Sequence, residues 1–182
     1  MRRDPDLLDA LEAIPPVLHD GPVWRLVREG RDPLQCSASG GRWDDGSFAV
    51  LYTSLTERGA LEEMRFHLMR GQPVMPSKVR YSMHRIGLVL ERALRFLDLA
   101  ALAAAGLRTE SYGRLSYAGR QAEYPRTQEI GEAAHFLDFD GLIVPSARSG
   151  ALNAVVFCSK VPGLAASPVE AMGPADWGPP PG

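Results

Sequence analysis

Four polar side chains stand close together in the sequence, in and just after the glycine-led turn GGRWDDG. Arg42 lies in the turn, Tyr52 follows ten residues later, Glu63 eleven after that, and His67 one helical turn further on. Arg42 and Trp43 on such a turn read as a binding surface. With Ala60 at zero and about 100° per residue, Leu61, Met64 and Leu68 share one apolar arc. Glu63 and His67 fall at its edge and Glu62 on the opposite side, so Glu63 is expected half-buried and Glu62 solvated. A carboxylate at a core edge needs a cation or a hydrogen-bond donor, and Arg42 is the candidate. Each residue also has a structural reading. Arg42 and Glu63 make an ion pair, Trp43 a lid over the core, Tyr52 a core side chain, and Glu63 with His67 a helix-surface pair. Ser146, after Pro145, caps or turns the chain.

The elements that must position these residues follow from periodicity. Residues 4–14, DPDLLDALEAI, put Leu7, Leu8, Leu11 and Ile14 on one helical face, ended by Pro15 and Pro16. VWRLVR (23–28) alternates as a strand, 29–47 is loop, and 48–53 a second strand bringing Tyr52 onto the face of Phe48 and Val50. Ser54 with Glu57 is a capping-box signature for a helix running to about Arg70. A Pro/Gly break at 71–76 precedes KVRYSMHRIGLVLERALRFLDL, which reads as two strands or one long bent strand. A helix follows at 98–106, ending at Gly106, then loop over 107–125, a helix in RTQEIGEAAHFLDF, a buried strand GLIVP and a closing strand LNAVVFCS. The fold class is α+β, a compact mixed sheet with helices. Residues 1–21 form an N-terminal helix and linker, 22–160 the main domain, and 161–182 a Pro/Gly-rich tail expected to be disordered. Its deletion is expected to leave activity largely intact.

Bulk properties narrow the function. A net charge of −2 and interspersed arginines give no basic block, which disfavours nucleic acid as a partner. The start MRRDPDLLDA lacks the apolar core of a secretory signal. No run reaches the roughly 18–20 apolar residues of a membrane span. Cys36 and Cys158 lie far apart without metal or redox spacing, and are expected as free thiols in a reducing cytoplasm. No histidine pairs at ligand spacing, so no metal site is expected. The glycine-rich dinucleotide and phosphate loops and the G-x-S-x-G elbow are missing.

In order along the chain, VWRLVR, GGRWDDGSFAVLYTS, ALEEMRFHL, RFLDL, TQEIGEAAHFLDFDGLIVPSA and LNAVVF resemble the RES-domain family, named for Arg, Glu and Ser positions. Most of its members are toxins of bacterial toxin–antitoxin pairs. The resemblance covers most of residues 22–158 and is most specific in the Gly-Gly-Arg-Trp turn with the spacing to Tyr52 and Glu63. It implies a fold similar to ADP-ribosyltransferase toxins, NAD as a consumed substrate rather than a cofactor, and an antitoxin of Xre type. Matched by position, Arg25 and Arg42 are the family's arginines, Tyr52 its tyrosine, Glu63 its glutamate and Ser146 its serine. The family's turn usually reads Gly-Arg-Trp-Asn; Asp44 here adds a negative charge beside the expected diphosphate site.

Chemistry agrees with that implication. Breaking the nicotinamide–ribose bond passes through an oxocarbenium-like state, which a fixed carboxylate such as Glu63 stabilises. Arginine forks at 25 and 42 suit a diphosphate. Tyr52 would stack on the nicotinamide and Ser146 hydrogen-bond the substrate. Hydrolysis or phosphorolysis of NAD is the leading expectation, with ADP-ribose transfer to a protein next. A catalytically silent interaction module is the third reading, and Asp44 is its one hint.

Overall fold

GLIVP is an unbroken apolar run, the pattern of a strand covered on both faces, and it becomes the strand Gly141–Pro145, buried at its first four residues. The computed structural model describes residues 3–69, 79–110, 112–113 and 120–177. In chain order these form α1 (Pro5–Glu12), β1 (Val17–Arg28), β2 (Val50–Ser54), α2 (Glu57–Met69), β3 (Tyr81–Arg95), α3 (Leu99–Ala104), α4 (Arg120–Phe136), β4 (Gly141–Pro145), β5 (Leu152–Phe157) and β6 (Val169–Pro174). The Pro/Gly break expected at 71–76 lies outside the described residues.

The strands run in the order β1-β2-β5-β4-β3-β6, and β1 also pairs with β3. Five strands therefore close on themselves into a small barrel, with β6 added beside β3. All pairings are antiparallel except β3 with β4. β3 is one long strand of 15 residues, which lets its start pair with β6 and its end with β4.

Period-two alternation divides the core. Leu51, Ile143, Ala154 and Val156 pack with Val23, Ile86, Leu88 and Leu90 on one side of the sheet. Val50, Leu142, Val144, Val155 and Phe157 face the other way and meet Leu7 and Leu11 of α1, Leu102 of α3 and Ile130 and Ala134 of α4. A third cluster under α2 joins Leu26, Ala60 and Met83 to Met64, Tyr81 and Trp177.

Local chemistry sets the helix starts. Asp4 caps α1, accepting from the amides of Asp6 and Leu7, with Pro5 in the first turn. Asp98 caps α3, accepting from the Ala101 amide at 2.8 Å. The α2 cap lies two residues past the expected Ser54. Thr56 Oγ1 accepts from the Gly59 amide at 3.0 Å, while Ser54 Oγ reaches the Leu152 carbonyl across the sheet at 3.4 Å. Residues 120–125, expected as loop, belong to α4, which carries Pro125 inside it. Packing on the sheet overrides the usual breaking effect of proline.

Two further expectations are corrected. Cys36 and Cys158 are joined in a disulfide across 122 residues, with Cα atoms 6.6 Å apart. The register explains it: Ser37 bridges Val50, Val50 pairs with Phe157, and their chain neighbours are the two cysteines. Residues 161–177 pack on the barrel rather than forming a loose tail. Leu164 enters the core, β6 pairs with β3 over Ser82–Ile86, and Trp177 sits edge-on to Tyr81 while its carbonyl accepts from Arg65 of α2. Pro- and Gly-rich composition misled here, because a short edge strand needs only backbone partners. No helix among the described residues is long and apolar enough to cross a membrane.

Candidate functional site

The start of β5 and the middle of α2 meet at Glu63. Its Oε1 accepts from the Ser146 hydroxyl at 2.6 Å and from the Asn153 side-chain amide at 2.9 Å. Ser146 Oγ in turn accepts from the Arg148 and Ser149 amides at 3.0 and 3.1 Å. With two N–H groups on its lone pairs, its single proton is directed at Glu63. Both donors land on one carboxylate oxygen, which leaves Oε2 as the oxygen available to solvent or ligand. Glu63 is half-buried, as the helical wheel requires. Glu62, expected solvated, is half-buried too and pairs with Arg58 one turn back at 2.8 Å, while His67, expected at the core edge, is exposed.

Glu63 lies on the wall of a cavity of about 400 Å³. Around it stand the 39–43 turn, Tyr52 and Ser54 of β2, Asn153 of β5, Ala147 and Arg148, and the rings of Tyr112 and Tyr124. Arg42 carries its guanidinium over both tyrosines, 4.8 and 5.0 Å from their centroids. Cation–π contact of this kind fixes the position of the charge on the cavity wall. The expected Arg42–Glu63 pairing is thereby corrected: Ser146 and Asn153 supply the donors to Glu63, and Arg42 is held by aromatic faces.

The turn itself is built inward. Trp43 is a core residue, 2% exposed, rather than a displayed ring. Asp44 is 1% exposed; it accepts from the Gly40 amide at 3.0 Å, the Gly41 amide at 2.8 Å and the Tyr52 hydroxyl at 2.7 Å. Its charge is consumed within the turn. Tyr52 Oη accepts from the Trp43 amide at 3.0 Å, so its own proton faces Asp44. Burial, and after it the Asp44 carboxylate, push the Tyr52 hydroxyl well above its ordinary 10.0. Tyr52 is thus a permanent donor that braces the turn, with its ring on the cavity wall.

From the other side α4 clamps the same turn. Gln128 Nε2 donates to the Gly41 and Asp44 carbonyls at 2.8 and 3.1 Å. Gly131 lets the helix close in: a Cβ there would lie 2.0 Å from the Trp43 carbonyl oxygen. Gly41 is equally constrained, since a Cβ would come within 2.5 Å of the Tyr52 hydroxyl.

Arg25 reaches the cavity from β1, but its Nη1 is engaged by the carbonyls of Pro33 and Gln35 at 2.7 and 3.1 Å. Burial holds its pKa below the ordinary arginine value. It therefore ties the 29–36 loop to the barrel and lends positive potential to the cavity floor. Of the five residues expected from sequence, Arg25, Arg42, Tyr52 and Glu63 line one cavity, and Ser146 is buried behind Glu63.

Sequence reasoning missed Asn153, Arg148, Tyr112 and Tyr124. Arg148 packs over the Phe66 ring, 3.4 Å from its centroid, and donates to the Gly113 carbonyl. A signal for Asn153 existed: it is the chain's only asparagine, placed in an apolar strand where that residue is disfavoured. The tyrosines gave none, lying in a stretch without periodicity. Among the described residues no cluster of three His, Cys, Asp or Glu is placed to hold a metal ion.

Comparison with known proteins adds three findings. The RES domain family model matches residues 22–178. The fold is similar to a chain of the solved M. tuberculosis MbcT–MbcA toxin–antitoxin complex, with a TM-score of 0.72 and 21% identity, over 95% of this chain and 92% of that one. No curated protein matches the chain in sequence.

Proposed function

The chain belongs to the RES-domain family, and on that premise we propose that it is an NAD-consuming toxin, held in check by a cognate antitoxin of Xre type. The reaction is cleavage of the nicotinamide–ribose bond. The C–N bond breaks with its electron pair leaving on nicotinamide, and an acceptor oxygen bonds to the ribose carbon and loses its proton. The fold likeness to one chain of a toxin–antitoxin complex supports the antitoxin, and a relation to ADP-ribosyltransferase toxins is part of the same reading.

One observation carries the chemistry: a carboxylate with one oxygen locked by two donors on a cavity wall shared with Arg42. Positive charge develops on the ribose as nicotinamide departs, and a carboxylate that cannot swing away stabilises it without reorganising. Nicotinamide is a good leaving group, so a second carboxylate is not needed as acid. Arg42, with Arg25 beneath, supplies charge for the diphosphate. Tyr52 offers its ring to the nicotinamide, and Ser146 acts through Glu63 rather than on substrate. The antitoxin is expected to plug this cleft.

The test is NAD content and growth after induction of the wild type and Glu63→Gln side by side. The proposal expects NAD and growth to collapse with the wild type alone. Arrest at steady NAD with labelled ADP-ribose on a protein would replace hydrolysis or phosphorolysis by protein modification. Harmless, NAD-inert behaviour of both would overturn the enzyme reading in favour of a silent module.

A further inference from the structure

Asn153 sits mid-sheet, paired with Ser54 of β2 on one side and Val144 of β4 on the other. The barrel fixes its backbone on both edges. The orientation of its side-chain amide is settled by chemistry, because a carboxylate accepts and never donates when ionised. The group 2.9 Å from Glu63 Oε1 must therefore be the amide nitrogen, which turns Oδ1 the other way. That oxygen is buried and has no hydrogen-bond partner, while the residue itself lies on the cavity wall. A buried acceptor left unmatched is costly and unusual.

We propose that Asn153 is a positioning and substrate-reading residue: its amide N–H holds Glu63, and its amide oxygen accepts a hydrogen bond from a substrate donor beside the scissile bond. The inference rests on the NAD reading for the identity of that donor. NAD offers two next to the bond that breaks, the carboxamide N–H of nicotinamide and the hydroxyls of the adjoining ribose. One side chain thus couples the carboxylate's position to the presence of the right substrate. Correct substrate satisfies the orphan oxygen; one lacking the donor leaves it buried and unpaired.

The test has three readouts. Asn153→Ala is expected to lower kcat about 10- to 100-fold, the worth of a hydrogen bond to a charged group, with the unfolding midpoint kept near wild type. Asn153→Asp keeps size and shape but sets two carboxylates side by side. Its activity should recover as pH is lowered, because the new carboxyl, once protonated, donates to Glu63 as the amide did; Asn153→Ala should show no such recovery. A parallel pH profile for wild type and Asn153→Asp would overturn the positioning role.

Reading is tested with two analogues, the nicotinic acid counterpart of NAD and a 2′-deoxyribose counterpart. Whichever preference narrows in Asn153→Ala identifies the donor, and unchanged preference for both overturns the reading role. The third readout needs no turnover. Protein labelled with 15N-asparagine gives a single side-chain amide pair, since the chain holds one asparagine. Glu63→Ala should move that pair. If the wild type leaves NAD intact but the signal moves, the NAD reading fails and the positioning stands. An unmoved signal overturns the positioning itself.

Discussion

Replacing Asp44 by alanine separates two views of its charge. In one, the carboxylate faces the substrate and opposes an anion. In the structure it is buried, 1% exposed, and accepts from the Gly40 amide, the Gly41 amide and the Tyr52 hydroxyl. Hydrogen bonds to a charged group contribute about 1.5–3 kcal/mol each. Truncation removes all of them at once, and water entering the vacated space restores a part, so the expected loss is about 3–5 kcal/mol. Asparagine offers one acceptor oxygen and an N–H group. It can keep the Gly40 bond and reverse the Tyr52 bond, but it leaves the Gly41 amide unmatched, a loss of about 1–2 kcal/mol. Urea unfolding followed by tryptophan fluorescence measures both, since Trp43 is buried beside the turn. If Asp44→Ala unfolded within about 1 kcal/mol of wild type, the bracing role would be wrong. If Asp44→Asn instead tightened KM for NAD without losing stability, the charge would be facing substrate after all.

Other perturbations address different anchors. Gly131→Ala places a Cβ 2.0 Å from a backbone oxygen of Trp43, so α4 or the turn must shift; about 1–3 kcal/mol of stability is expected to go, with a weaker KM, read by thermal melting and kinetics. Cys36→Ser opens a tie spanning 122 residues, worth up to about 4–5 kcal/mol by chain entropy, and non-reducing peptide mapping should find the Cys36–Cys158 peptide; free alkylation of both thiols would refute the bond. Trp177→Ala removes a half-buried ring packed on Tyr81, costing about 1–2 kcal/mol, and truncation after Ser167 should cost more because β6 goes with it; an unchanged melting temperature for the truncation would restore the view of a dispensable tail. His19, His84 and His135 are each held below the ordinary 6.5, first by burial. The unfolded chain then binds more protons near and below that pH, so their contribution to stability is present above 6.5 and is lost as pH falls through it. Melting temperatures from pH 7.5 down to 5.5 should decline, and a flat profile would contradict the burial.

Local pattern carried the fold most of the way. Leu7, Leu8, Leu11 and Ile14 identified α1 because one face is all that a surface helix must bury. GLIVP and LNAVVF identified β4 and β5 because strands sealed on both sides leave little choice of residue. The wheel around Ala60 placed Glu63 at the core edge, and it is half-buried; Glu62, expected toward solvent, is half-buried as well, covered by its pairing with Arg58. What sequence could not carry was contact between distant pieces. Cys36 and Cys158 meet only through the β2–β5 register, and Arg42 finds Tyr124 only because α4 folds back over the turn. β6 escaped for another reason: its side chains are mostly exposed, so no periodicity records a strand held by its backbone.

Asp44 shows how a departure from a family's usual residue can mislead when it is weighed as a bare charge. Beside an arginine turn, an extra carboxylate looks like a defect in an anion site. Counting donors reverses that inference. Two turn amides and a phenol converge on one point, and Gln128 holds the carbonyls on the outer side of the same turn. A carboxylate there satisfies more of those donors than an amide can. Arg42, in the same turn, is supported separately by the rings of Tyr112 and Tyr124. The guanidinium rests on Tyr112 and Tyr124, whereas the Glu63 carboxylate accepts from Ser146 and from Asn153 of β5. With Ser146 and Asn153 as its donors, the Glu63 carboxylate does not draw on Arg42, which is what a cleft needs if a charge suited to an anion is not to be neutralised by a neighbouring carboxylate.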